Sequence, residues 1–427
     1  METAKPKMTF KWFMVILCLA LGMSATLNTG WLFNSYYQLC SDALNLNDAQ
    51  MGILNSIIGG CGIIGYVIGG IVLDKLRPKA CIVIGSLGMA LFSVWAMMLP
   101  DFTSIVIINT GLVVFGIVFY WTACVRYASI FGPKELSGKA SGLLFSLSGG
   151  IMLIYGNVVS ALIASMDAVS GFRMLVGSSA AILIITAAAQ MIYDKEPWFG
   201  RGMDVKAEST FNIRMLGTVL SNKRMWVVWV VAAISSASSI AISYMQPLLA
   251  DYYGASTAVI TLISAWANNG TSFVLAFVTG ILVDKFGSAS KVLIIAFVCM
   301  MAGTALLLVT PWSASFLPVV IICMILVRSV NAIGKPGRVA MVAEVDIPEA
   351  AKGTATGVMF AATSIPSTFL FSIFGNMLNA SGNSRQGYMT IYFTFVVIAV
   401  IGIAAVNIFI RMSNKVKKAA RTDTGRL

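Results

Sequence analysis

The chain is 427 residues long, 58% hydrophobic and 11% charged, against about 25% charged in ordinary soluble domains. That composition excludes a soluble globular enzyme, and a net charge of +12 does not make a nucleic-acid binder, because the basic residues cluster in tails and turns between apolar runs. With no histidine and seven scattered cysteines, neither the common serine- and metal-hydrolase arrangements nor a disulfide framework is available.

Apolar runs of roughly 20 residues, the length that crosses a bilayer, recur twelve times, near 12–38, 50–73, 80–99, 103–131, 140–165, 172–193, 225–250, 258–283, 290–310, 315–341, 354–378 and 387–411. The first is basic at its start but long and without a small-residue cleavage site, so it reads as a retained helix; Asn28 and Trp31 lie near its middle. The second closes on Gly69-Gly70-Ile71-Val72-Leu73-Asp74-Lys75. Span four carries Tyr120 and Trp121 and ends near Arg126-Tyr127, and span five carries Tyr155 and Asn157. The polar stretch 194–224, with Pro197, Gly200, Gly202 and mixed charges, reads as a solvated linker. Span seven contains Ser235, Ser236, Ser238 and Ser239, expected to serve close helix packing, then Tyr244 and Gln246. Span eight carries Asn268 and Asn269 and closes on Thr279-Gly280-Ile281-Leu282-Val283-Asp284-Lys285. Span ten carries Arg328, Asn331, Lys335 and Arg338, and span twelve runs into a basic tail.

Lys and Arg fall almost entirely on one side of these spans: Lys5, Lys7 and Lys11, the turn Lys75-Leu76-Arg77-Pro78-Lys79, the central linker, and the tail from Arg411 to Arg426. The opposite loops hold Arg173 and Arg385 beside Asp42, Asp48, Asp101, Asp167 and Asp251. By the positive-inside rule both termini and the linker are expected in the cytoplasm, as an even number of spans requires.

The two glycine–aspartate–lysine turns, about 210 residues apart, mark a duplication. It continues from Arg126-Tyr127 through Leu136-Ser137-Gly138-Lys139-Ala140-Ser141-Gly142, matched by Arg338-Val339 through Ala351-Lys352-Gly353-Thr354-Ala355-Thr356-Gly357. The turns resemble the loop of the major facilitator superfamily, Gly-x-x-x-Asp-Arg/Lys-x-Gly-Arg-Arg/Lys. The first keeps Gly70, Asp74, Lys75 and Lys79 but has Arg77 in place of a glycine; the second keeps Gly280, Asp284, Lys285 and Gly287 but ends in Ser288 and Ala289. The resemblance implies an all-α membrane protein of twelve transmembrane helices in two pseudo-symmetric six-helix bundles around a central cavity. The expected organisation is an N-terminal bundle 1–193, the linker 194–224, a C-terminal bundle 225–411 and a basic cytoplasmic tail 412–427. It also implies a secondary transporter working by alternating access in a bacterial-type inner membrane. In the family, basic residues where Arg126 and Arg338 stand pair with the loop aspartates, so Asp74 with Arg126 and Asp284 with Arg338 are candidate gates.

An ionisable group inside a span is costly and needs a reason. Arg328, Asn331, Lys335 and Arg338 lie at helical offsets that place them on one face, and Pro336 removes a backbone donor there and should loosen the helix. Such a basic stripe suits an anion, because arginine can hold a carboxylate, phosphate or sulfonate through two hydrogen bonds. Arg328 has Gly116 at the matching place of the first half, so the fold itself does not demand a cation; its alternatives are substrate contact and structural pairing. Lys335 either lines the cavity or snorkels to the surface. Asn28, Trp31, Tyr120, Tyr155, Tyr244, Asn268 and Asn269 could orient a ligand or serve packing. No acid lies near a span centre, which argues against a proton relay on the protein.

The expected cargo is therefore a small organic anion, a carboxylate, organophosphate or sulfonate, and the span-ten to span-twelve region looks like bacterial carriers of monocarboxylates, organophosphates or sulfonated sugars. A proton-driven efflux pump for hydrophobic or cationic drugs and a non-transporting membrane sensor are the alternatives. No cofactor, metal, nucleic-acid partner or phosphate-cradling loop is expected; the partners are the substrate and the lipid bilayer, and the protein is expected to be a monomer.

Overall fold

The computed structural model describes residues 10–130, 137–193, 216–271, 274–275, 288–345 and 347–424. The described residues are helical with short connections, and ten of their helices are long and apolar enough to cross a membrane. A further helix, Asp48–Lys75, runs for 28 residues and matches the second predicted span. The eighth span begins as Thr257–Ala265 and continues as a π-helical stretch, Trp266–Gly270; its closing turn, with Asp284, lies outside the described residues.

Local chemistry sets the helix ends. Asn47 and Gln50 form a reciprocal capping box at the start of Asp48–Lys75, with Gln50 N donating to Asn47 Oδ1 (2.9 Å) and Asn47 N to Gln50 Oε1 (3.0 Å). Pro78 opens the third span at the first helical position, where its missing N–H costs nothing. Asn222 caps Lys223–Tyr253 through Arg224 N (3.0 Å), and Gly254, at φ +62°, closes it in the left-handed conformation.

Three features differ from expectation. The first span is discontinuous: Phe10–Gly30 stops at Trp31, a short helix Leu32–Ser35 follows, and Tyr37–Leu44 resumes after Tyr36. The tenth span, Leu317–Ala343, runs without interruption through Lys335-Pro336-Gly337, correcting the loosening anticipated there. Proline deletes one backbone bond, and the adjoining turns are pinned by close neighbours, Gly334 against Ser235 and Gly337 against Leu293. The twelfth helix continues to Thr424, so the basic tail is helical over most of its length. The linker is described only from residue 216, where a short helix Leu216–Ser221 precedes span seven.

The chain divides into two compact units, residues 1–206 with 257–265, and 207–256 with 266–427. In the first, the third span packs along the sixth, and the first lies against the fifth and sixth. In the second, the ninth packs along the twelfth, and the seventh lies against the eleventh and twelfth. The same pairings recur six spans later, which is what a duplicated sequence folds into. The first unit's core gathers Ile16, Leu19, Met23, Leu73, Ile82, Tyr120, Ala123 and Leu144. All seven cysteines are free.

Candidate substrate site

Within the second unit, spans seven and ten meet along a polar seam. Arg328 Nη1 donates to Ser239 Oγ (2.6 Å), and Asn331 Nδ2 donates to the same oxygen (2.7 Å). One turn earlier on span seven, Ser235 Oγ accepts from Arg338 Nη1 (3.1 Å), which also reaches the Ala232 carbonyl (3.3 Å). Helical periodicity brings this about: 328, 331 and 338 fall on one face, and 235 and 239 are four apart. At the three residues whose side chains are described, the stripe anticipated from the sequence thus turns toward span seven. Lys335 lies on the same helix, but its side chain is outside the description.

The seam is cationic and incompletely satisfied. Arg328 is half-buried, Asn331 and Arg338 are 6% and 3% exposed. Arg328 Nε, Asn331 Oδ1 and Arg338 Nε are buried without a hydrogen-bond partner. Among the described residues no carboxylate pairs with either arginine. A charged group at a span centre costs about 2.5–3.5 kcal/mol on insertion, and buried polar atoms left unpaired cost more. A seam like this is suited to receive an anion.

Ser235 and Ser239, read from sequence as packing residues, are instead the acceptors that aim the arginines. The signal was present in their spacing of four opposite a basic stripe, but serine is so common in helix packing that spacing alone did not separate the roles. Ser236 does tie helices together, donating to the Thr363 carbonyl of span eleven (2.6 Å). Ser238 reaches only along its own helix, to the Ser235 carbonyl (3.1 Å).

The other candidates separate into groups. Tyr120 is fully buried in the first unit's core and donates to the Leu19 carbonyl (3.0 Å); Tyr244 is fully buried and donates to the Phe371 carbonyl (2.6 Å) between Phe371 and Phe374. In each the ring is buried and the hydroxyl is bonded to a backbone carbonyl, the packing alternative of the two read from the sequence. Asn28 accepts from Tyr36 Oη (3.2 Å), and Trp31 occupies the break in the first span and packs on Ile58, Val113 and Ile117. Tyr155 shares its hydroxyl with Ser178 (2.7 Å) and Ser179 (3.2 Å). Asn268 and Asn269 are half-buried in the π-helical stretch of span eight. For the gates, Asp74 and Arg126 lie on described helices but their side chains do not, and Asp284 lies outside the described residues. Asp42 and Asp251 are exposed; Asp42 accepts from Gln38 and Thr257, Asp251 from Tyr388.

A bundle of long apolar helices, duplicated in its packing and carrying a polar seam inside one unit, defines a multi-pass membrane protein. The model of the Major Facilitator Superfamily matches residues 12–267 and again 228–426. The chain belongs to the major facilitator superfamily and is a secondary transporter, not an enzyme. No protein of curated function matches its sequence. Among solved structures, it is similar to a bacterial homologue of the human lysosomal transporter Spinster in an inward-facing, unoccupied conformation, with a TM-score of 0.75 at 15% identity over 96% of this chain and 99% of that one. A mutant of the nucleoside transporter NupG gives 0.74 at 15% identity, over 93% and 99%. At such identities the likeness concerns the fold.

Proposed function

We propose that the transporter carries a small organic anion, held in the second unit by Arg328 with Asn331 and Ser239. The observation that supports this is a guanidinium inside a span that no described carboxylate neutralises and whose Nε has no partner. An anionic ligand would supply the missing charge and acceptors together. Asn331 Oδ1, buried and unpartnered, suits a hydroxyl carried beside the anionic group. Loading the site removes an electrostatic penalty that the empty protein bears, so the anion is the partner whose binding the seam favours most. Carriage across the inner membrane by alternating access, with both termini in the cytoplasm, completes the reading.

The test is thermal unfolding of the detergent-purified protein with carboxylates, sugar phosphates, sulfonates and cationic drugs. Ligand at a hundred times its Kd stabilises the native state by about 2.7 kcal/mol, a rise of a few degrees. Stabilisation by one anion class, absent in Arg328→Ala, is the expected result. A second reading, carriage of hydrophobic drugs, draws on an open, all-apolar groove of about 260 Å³ lined by Ala233, Ile234, Ala237, Pro366, Phe369 and Ile398. Stabilisation of both proteins by cationic drugs and by no anion would favour it over the anion.

A further inference from the structure

Binding at Arg328 leaves a second cation without an assignment. Arg338 stands ten residues further along the same helix, about 15 Å by axial rise. The serines that the two arginines reach are only four residues apart, about 6 Å along span seven. The guanidinium ends therefore converge on adjacent turns of one helix although their backbones do not. Each retains a buried Nε without a partner, and Arg338 is 3% exposed. Among the described residues no carboxylate pairs with either arginine. Arg224, at the start of span seven, donates to the backbone carbonyl of Glu344 (3.4 Å), and the Glu344 side chain is exposed.

Resting on the reading of Arg328 as the anion holder, we infer that Arg328 and Arg338 together select a dianion over a monoanion, with Arg338 as the residue that sets the charge preference. A monoanion at Arg328 would leave Arg338 uncompensated one turn away. A second negative charge within roughly 8–10 Å of Arg338, at an effective dielectric constant of ~20, strengthens binding by about tenfold or more. Dicarboxylates and phosphate monoesters share this chemistry. If Arg338 serves only to satisfy the Ala232 carbonyl and Ser235, it has no such preference.

The experiment measures Kd for the full-length protein with matched probes, succinate against butyrate and glycerol phosphate against propanesulfonate, across pH 5.5 to 7.5. A phosphate monoester takes its second charge near pH 6, and the chain has no histidine to titrate in that window. Expected are at least tenfold tighter binding of one dianion than of its matched monoanion, glycerol phosphate binding that strengthens with pH if the phosphate is the better probe, and propanesulfonate binding that does not. Succinate or glycerol phosphate as the tighter probe tells carboxylate from phosphate. Arg338→Gln should cut the dianion-to-monoanion ratio at least tenfold, and Arg338→Lys should keep most of it. Equal binding of dianions and monoanions by the native protein overturns the inference, whether or not the variants fold. So does Arg338→Gln weakening both classes alike. Anion binding that survives Arg328→Ala unchanged would instead overturn the reading on which the inference rests, and no anion binding at all would overturn both.

Discussion

Ser239 is the most informative single side chain. A hydroxyl has one proton and two acceptor lone pairs, and here both lone pairs are engaged, by Arg328 and by Asn331. Its proton is left to donate, so the serine that aims two donors becomes a third. Ser239→Ala should weaken anion binding by about 5- to 30-fold, since hydrogen bonds to charged groups are worth about 1.5–3 kcal/mol and part is recovered by rearrangement. Titration of the purified variant checks this, with an unfolding temperature within about two degrees of the native protein. Ser238→Ala, whose hydroxyl bonds only along its own helix, should leave the affinity unchanged. Tyr120→Phe is expected to cost about 1 kcal/mol of stability through the lost bond to Leu19 and to leave binding intact.

Helix by helix, close approach is set by where glycines fall. In the third span, a Cβ on Gly85 would sit 2.8 Å from Tyr120 N and 3.0 Å from the Phe115 carbonyl, both backbone atoms of the π-helical stretch Phe115–Trp121. Backbone cannot swing away as a side chain can, so the widened turn of span four and the missing side chain of span three fit as a pair. Gly85→Leu should destabilise the protein by about 1–3 kcal/mol, the usual overpacking range, or prevent its accumulation in the membrane. Unfolding of the purified variant measures it. Gly150→Ala, where nothing lies within 4 Å of the added carbon, is the matched control and should be tolerated. The breaks at Trp31 and Tyr36 show the opposite device: a span interrupted where polar Asn28 and Tyr36 bond to each other, as membrane helices permit when the freed backbone is buried in protein.

Taken together, the spans carry no histidine, and Asp42 and Asp251 lie exposed with hydrogen-bond partners. Under the anion reading the substrate itself supplies the neutralising charge, so exchange of one anion for another needs no proton carrier on the protein. Counterflow of labelled anion in proteoliposomes should therefore persist when a protonophore collapses the pH gradient; its abolition would point to proton coupling. The basic, helical C-terminus is expected in the cytoplasm, and a fluorescent protein fused there should mature and fluoresce in intact bacteria.

Composition and apolar run length were enough for the class and for the described spans, because the bilayer imposes one length and one polarity on every crossing segment, and the repeated glycine–aspartate–lysine turns were enough to suggest the duplication. The basic stripe of span ten was also legible, since 328, 331 and 338 share a face through helical geometry that needs no partner. What the stripe faces was not. Whether Ser235 and Ser239 pack or aim arginines, and whether Tyr120 and Tyr244 bind or pack, depends on which neighbouring helix supplies the other half of each hydrogen bond. That partner lies about 80 to 130 residues away in sequence, and periodicity within one helix carries no information about its register against another. Pro336 illustrates the same limit: its local preference predicts a loosened turn, and the packing of Gly334 and Gly337 against Ser235 and Leu293 keeps the helix whole.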